Sequence, residues 1–121
     1  MTTEWKEKIA EQVTEEIYSS NPWLHEKFGE HGKENTLKDN YHHLDYLETA
    51  FLTQSLSVFE KYTNWLIDVL SSRQVPVHLI EDNYSRLANH LPHVQNEHQR
   101  EFMHQCLEHG MQVVRERSSV N

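Results

Sequence analysis

Backbone punctuation is scarce in this chain, which has three glycines and three prolines in 121 residues. Glycine and proline end regular elements and close tight turns, so a many-stranded sheet would need far more of them. Here long stretches run without either. Within those stretches apolar residues recur at helical spacing, and no segment sustains a period-two alternation bounded by hairpin turns.

The helices can be placed from that spacing. Trp5, Ile9, Val13 and Ile17 stand four apart and form one stripe of a first helix. Ser19, Ser20, Asn21 and Pro22 interrupt it. With Asn21 as cap and Pro22 at the first helical position, a short second helix opens through Trp23 and Phe28. Gly29 and Gly32 are expected to end it and form a turn. A third helix is expected over about 36–54, with Leu37, Tyr41, Leu44, Leu47 and Phe51 on one face. A fourth covers about 57–73 and stops at Val75-Pro76; a fifth covers about 77–91, before Pro92. The last, about 94–117, carries Phe102, Met103, Cys106, Leu107, Gly110, Val113 and Val114. The expectation is an all-α fold: one domain over 1–121, a compact bundle or globin-like packing of five to six helices with antiparallel neighbours.

Composition narrows the class of partner. Hydrophobic residues at 36% and charged residues at 25% exclude both a disordered chain and a membrane-embedded one. Nineteen carboxylates against eleven Lys and Arg leave a formal charge of −8, which disfavours nucleic acid as a partner. Protonating all ten histidines would carry that charge to +2, so a pH-responsive surface is one reading and a plain histidine excess the other. Cys106 is the only cysteine, which excludes an intrachain disulfide and a cysteine-based zinc site. The charged start lacks an apolar signal core, and no apolar run approaches the roughly 20 residues of a membrane span. A cytoplasmic location without membrane association is expected.

Two clusters carry candidate chemistry. In the segment Asp39-Asn40-Tyr41-His42-His43-Leu44-Asp45-Tyr46, Asp39 and His43 stand four apart, as do His42 and Tyr46. Asp39 is placed to accept a proton from one imidazole nitrogen of His43 and so fix which nitrogen faces a ligand. The plain alternative is a surface Asp–His pair, or a core histidine bonded to a carbonyl. The second cluster is Tyr62, Trp65, Leu66, Val69 and Arg73, an aromatic row with one arginine at its end. It suits a flat apolar ligand bearing carboxylates, or is ordinary core. Gly110 interrupts the last core face and implies the close approach of a helix, of a ligand, or a bend. Glu97, Glu101, His104 and Glu108 share a helix face, but a carboxylate-bridged di-iron site needs a second Glu-x-x-His, which this sequence lacks. Zinc-protease, phosphate-loop and nucleophile-elbow motifs are absent too, and Cys106 reads first as a buried, inert thiol and second as a nucleophile or covalent cofactor anchor.

The runs Phe28-Gly29-Glu30-x-Gly32-Lys33, Asp39, His43-Leu44-Asp45-Tyr46-Leu47 and Phe59-x-x-Tyr62-x-x-Trp65-Leu66-x-x-Val69-Leu70-x-x-Arg73-x-Val75-Pro76 resemble a bacterial helical sensor domain. That domain is found beside cobalamin-binding domains in B12- and bilin-dependent photoreceptors. The likeness spans roughly 23–91 and implies a sensory module, in some members with a tetrapyrrole pocket; this chain carries neither a cobalamin-binding α/β domain nor an output domain. On this reading the chain is a non-enzymatic sensor binding a tetrapyrrole, a bilin or haem, between the third and fourth helices. His43 would sit on the macrocycle (as the metal ligand if haem is bound) and Asp39 would orient it. Arg73 would pair a propionate and Tyr62 with Trp65 would form the wall, with His42 and Tyr46 beside them. One rival is a protein-interaction module, a homodimer or a domain docking an output protein, anchored by Trp5 and Trp23. The other is a metal-dependent enzyme using Glu101 and His104.

Overall fold

The computed structural model describes residues 4–118; the first and last three residues of the chain, part of the domain expected over 1–121, lie outside the described residues. The elements are α1 (Glu4–Ser20), α2 (Pro22–Thr53), α3 (Leu56–Ser72), α4 (His78–His90), a 3-10 turn (Leu91–His93) and α5 (Glu97–Ser118). The fold is all-α, and no strand occurs among the described residues. Five helices form rather than six because the expected second and third run on as one, α2, across a break at Gly29. Gly29 has φ 68° and ψ −165°, a conformation open essentially to glycine alone. It separates a short arm, 22–28, from the long segment 30–53. Gly32, expected in the turn, lies inside the helix instead; a Cβ there would collide with the Phe28 side chain and crowd the Tyr18 hydroxyl at 3.1 Å.

Helix ends also depart from the sequence reading. Asn21 does not cap α2 with its side chain: its Nδ2 donates back to the Ile17 carbonyl at 2.9 Å. Only this residue joins α1 to α2, and the orphan carbonyls closing α1 are the nearer demand. The last helix begins at Glu97 rather than about 94, because Val94 is extended and Asn96 Oδ1 accepts the Gln99 N–H at 2.8 Å as an N-cap. Gln54 (φ 51°) and Gln74 (φ 64°) take the left-handed conformation after α2 and α3 that glycine usually supplies.

The apolar stripes converge on one core, in which Ile9, Val13, Leu44, Leu47, Phe59, Leu87, Met103 and Leu107 are shut off from solvent. α1 packs on α2 and α4, while α5 lies between α3 and α4 and also meets α2. Consecutive α3 and α4 therefore both pack chiefly on α5, and they meet each other through Phe59, Thr63 and Tyr84. Gly110 is the device that allows it. A Cβ at that position would stand 2.7 Å from Tyr84 Cε2 and 3.0 Å from Phe59 Cε2, so close helix approach is what the glycine serves. Lys6 reaches from α1 to Asp45 (2.8 Å) and Glu48 (2.6 Å) on α2. Cys106 lies in the core, where burial pushes its thiol up to about 12. No helix of the described residues is long and apolar enough to cross a membrane.

Candidate functional site

Several polar residues occupy positions that the helical period assigns to the core. On α2, Asn40 and His43 share a face with Leu44 and Leu47; on α4, Asn83 and Tyr84 share one with Ile80 and Leu87; on α1, Thr14 lies with Ala10, Val13 and Ile17. Burying such groups costs free energy unless they are hydrogen-bonded, and these are. Asn83 Nδ2 donates to Asn40 Oδ1 at 2.6 Å, while Asn40 Nδ2 donates to Thr14 Oγ1 at 3.3 Å and to the Thr36 carbonyl at 3.1 Å. Thr63 and Tyr84 pair through their hydroxyls at 2.9 Å. His43 Nδ1 meets the Tyr62 hydroxyl at 2.5 Å, and the imidazole edges onto both the Tyr62 and Tyr84 rings.

The second nitrogen of His43 is the exceptional atom. The residue is 2% exposed, yet no described residue hydrogen-bonds Nε2. No side-chain nitrogen or oxygen that is fully shut off from solvent lacks a partner among the described residues, so Nε2 opens onto space that water can enter. The ring lines a cavity of about 130 Å³. Ile17 of α1, Leu24 of the α2 arm, Leu70 of α3 and Leu79 and Ile80 of α4 supply its apolar walls. Asn83 lines it as well, with Asp39 half-buried and Arg73 exposed as the charged groups at its margin. The cavity lies away from α5, whose residues contribute nothing to its lining.

The electrostatics follow from burial. His43 is held down to about 3, first by desolvation and then by the neighbouring His42 charge, so its imidazole is neutral at physiological pH. Burial raises Asp39 above the usual carboxylate value, against the charges of Arg73 and His42, which lower it. Burial likewise pushes the Tyr62 and Tyr84 phenols up, which leaves both protonated.

Of the seven residues singled out from sequence, the fold brings Asp39, His43 and Arg73 to the cavity and leaves four away from it. Asp39 does not orient His43: Tyr62, from the facing helix, takes the Nδ1 position instead. Tyr62 thus stands behind the histidine rather than on a ligand wall. Trp65 is 56% exposed and follows Tyr62 outward, with ring centroids 6.0 Å apart. Tyr46 stacks on Tyr62 at 4.1 Å rather than meeting His42, which is exposed. Helical spacing established which residues share a turn of α2, but not which neighbour across the α2–α3 interface would reach the imidazole first. Sequence reasoning missed Asn40, Asn83 and Thr14 as a network. The available signal was an amide or hydroxyl standing on an otherwise apolar stripe.

The cavity is close in size to one that admits benzene, about 150 Å³, and well short of the roughly 300–1,000 Å³ of sites for drug-sized ligands. A planar tetrapyrrole is larger than this cavity, although one ring nitrogen of His43 has no hydrogen-bond partner among the described residues, as a haem ligand would need. For the metal-enzyme reading, His104 and Glu108 lie 3.7 Å apart on an exposed face. No group of three His, Cys, Asp or Glu able to hold a metal occurs among the described residues. Trp5 is half-buried against the core and Trp23 is exposed, so only the second stands free on the surface.

Compared with protein-family models, curated proteins and solved structures, the chain finds no match in any of the three. The likeness to helical sensor domains rests on the quoted motifs alone.

Proposed function

We propose that this chain is a cytoplasmic, non-enzymatic sensory domain that binds a small organic molecule in the cavity among α1, α2, α3 and α4. The observation that carries the reading is His43. A buried imidazole that lines a cavity, with one nitrogen committed to Tyr62 and the other without a hydrogen-bond partner among the described residues, is an arrangement that a ligand completes. Asp39, Arg73 and Asn83, with Asn35 and Thr36, are the polar groups of the lining that could orient a ligand against the apolar walls. Binding is favoured over catalysis by the state of the reactive groups. An imidazole that stays neutral down to about pH 3 is a poor proton acceptor at neutral pH, and the buried Cys106 thiol is not a nucleophile.

Two-dimensional NMR of the labelled protein, titrated with small carboxylates, amines and amino acids, tests the reading. Saturable shifts at the His43 ring and the Asn83 side-chain amide are expected for at least one class. If no compound moves either signal or the melting temperature, the binding reading is wrong. A tetrapyrrole in the same place is the larger-ligand reading, supported by Asp39, His43 and Arg73 meeting at one cavity. It requires the 22–28 arm to swing aside at Gly29, and a saturating absorbance shift with haemin, biliverdin or cobalamin near one equivalent would favour it. The interaction-module reading is supported by the exposed Tyr46 and Trp65 rings, which flank the buried Tyr62. Light scattering that shows a dimer weakened by Trp65→Ala would favour that one.

A further inference from the structure

The two charges at the cavity are unusual in what they do not touch. Asp39 and Arg73 both line it, close enough for the arginine's charge to act on the carboxyl, yet neither forms an ion pair or side-chain hydrogen bond with a described residue. Elsewhere the arginines are engaged: Arg86 holds Asp82 at 2.9 Å, Arg115 holds Glu81 at 2.7 Å and Arg117 holds Asp68 at 2.8 Å. An anion and a cation that line one cavity without pairing are matched by a molecule carrying both opposite charges.

We propose that the ligand is a small zwitterion, an α-amino acid with an apolar side chain, whose ammonium group is held by Asp39 and whose carboxylate is held by Arg73. This rests on the ligand-binding reading above and deepens it. Asp39 and His43 stand one helical turn apart on α2, so the carboxylate and the free Nε2 together offer acceptors to an ammonium group, which carries three donors. Nε2 accepts when Nδ1 donates its proton to the Tyr62 oxygen. Arg73 presents a planar fork that pairs a carboxylate through two hydrogen bonds. The apolar walls at Ile17, Leu24, Leu79 and Ile80 receive an aliphatic side chain, and a volume of about 130 Å³ admits a branched chain of leucine's size but not an indole beside the charged groups.

Isothermal titration calorimetry of the full chain with leucine, isocaproate, isoamylamine and isoamyl alcohol tests this, since the four share one branched side chain. Leucine is expected to bind at least about tenfold more tightly than either singly charged analogue, the worth of one charge-assisted hydrogen bond. Asp39→Asn should erase leucine's advantage over isocaproate, and Arg73→Gln its advantage over isoamylamine. Both side chains lack ion-pair and side-chain hydrogen-bond partners among the described residues, so neither change should alter the melting temperature of the free protein by more than a degree or two, which differential scanning calorimetry checks. If isocaproate or isoamylamine binds as tightly as leucine, or if leucine keeps its advantage in both variants, the zwitterion proposal is overturned while the binding cavity stands. If none of the four binds, while the NMR screen finds a ligand of another class at His43, the zwitterion proposal again fails alone. Silence in both experiments overturns the ligand-binding reading itself.

Discussion

Gly110→Ala separates two opposing effects of known size. On an open helix face the substitution stabilises by about 1 kcal/mol, because alanine loses less conformational freedom than glycine. At this position the new methyl would stand 2.7 Å and 3.1 Å from two carbons of the Tyr84 ring and 3.0 Å from one of Phe59. Carbon pairs are comfortable at about 3.5–4.0 Å, so the Tyr84 ring would have to retreat by about 0.8 Å. It has nowhere to go: both rings are fully buried, they pack on each other with centroids 5.2 Å apart, and the Tyr84 hydroxyl is tied to Thr63 at 2.9 Å. Overpacking of this kind costs about 1–3 kcal/mol, and the tether argues for the upper half of that range. The net expectation is a loss of about 1–2 kcal/mol, or a melting temperature lower by roughly 4–10 °C for a domain of this size. Urea unfolding followed by far-ultraviolet circular dichroism measures it directly, with an unchanged m-value as the check on two-state behaviour. Adding Phe59→Leu should return part of the loss, giving a coupling of at least about 0.5 kcal/mol. A Gly110→Ala protein as stable as the parent, or more so, would refute the claim that α5 is wedged against α3 and α4 by that glycine.

Three further outcomes follow from named interactions. His43 is neutral in the folded protein down to about pH 3 but titrates near 6.5 when unfolded. Acid therefore protonates the unfolded chain first, and this contribution is complete above pH 6.5 and drains away below it, by about 2 kcal/mol at pH 5. Comparing His43→Gln with the parent from pH 7 to pH 5 should show their stability difference shrinking by that amount, and parallel profiles would be inconsistent with a buried neutral imidazole. Asn40→Ala strands the Asn83 donor and should cost about 2–3 kcal/mol in urea unfolding; adding Asn83→Leu should restore part of it, whereas strict additivity would mean the two amides are not coupled. Gly29→Ala meets no atom within 4 Å, so its expected loss of about 1–3 kcal/mol is backbone strain alone, and a loss below about 0.5 kcal/mol would show that the kink does not need glycine.

The sequence by itself determined the helical class, most helix spans and the core. Apolar residues at a 3.6 period can bury one face only as helices, and period and burial are both local properties of the chain. It also marked the segment that carries the cavity's histidine and carboxylate, because Asp39 and His43 stand one turn apart whatever packs against them. It did not reveal that the second and third helices are one element bent at Gly29, since a glycine between helical runs reads equally as a turn. Nor did it assign partners across interfaces. That Tyr62 rather than Asp39 holds the imidazole, that Trp65 faces outward, and that Asn40, Asn83 and Thr14 form one network depends on the rotation and depth of each helix against its neighbours. Those are decided by side-chain packing among α1, α2, α3 and α4, where residues far apart in sequence compete for the same space. The cavity belongs to that second kind of information. It is lined from α1, α2, α3 and α4 together, which sets Asp39, His43, Arg73 and Asn83 around a space that no single helix encodes.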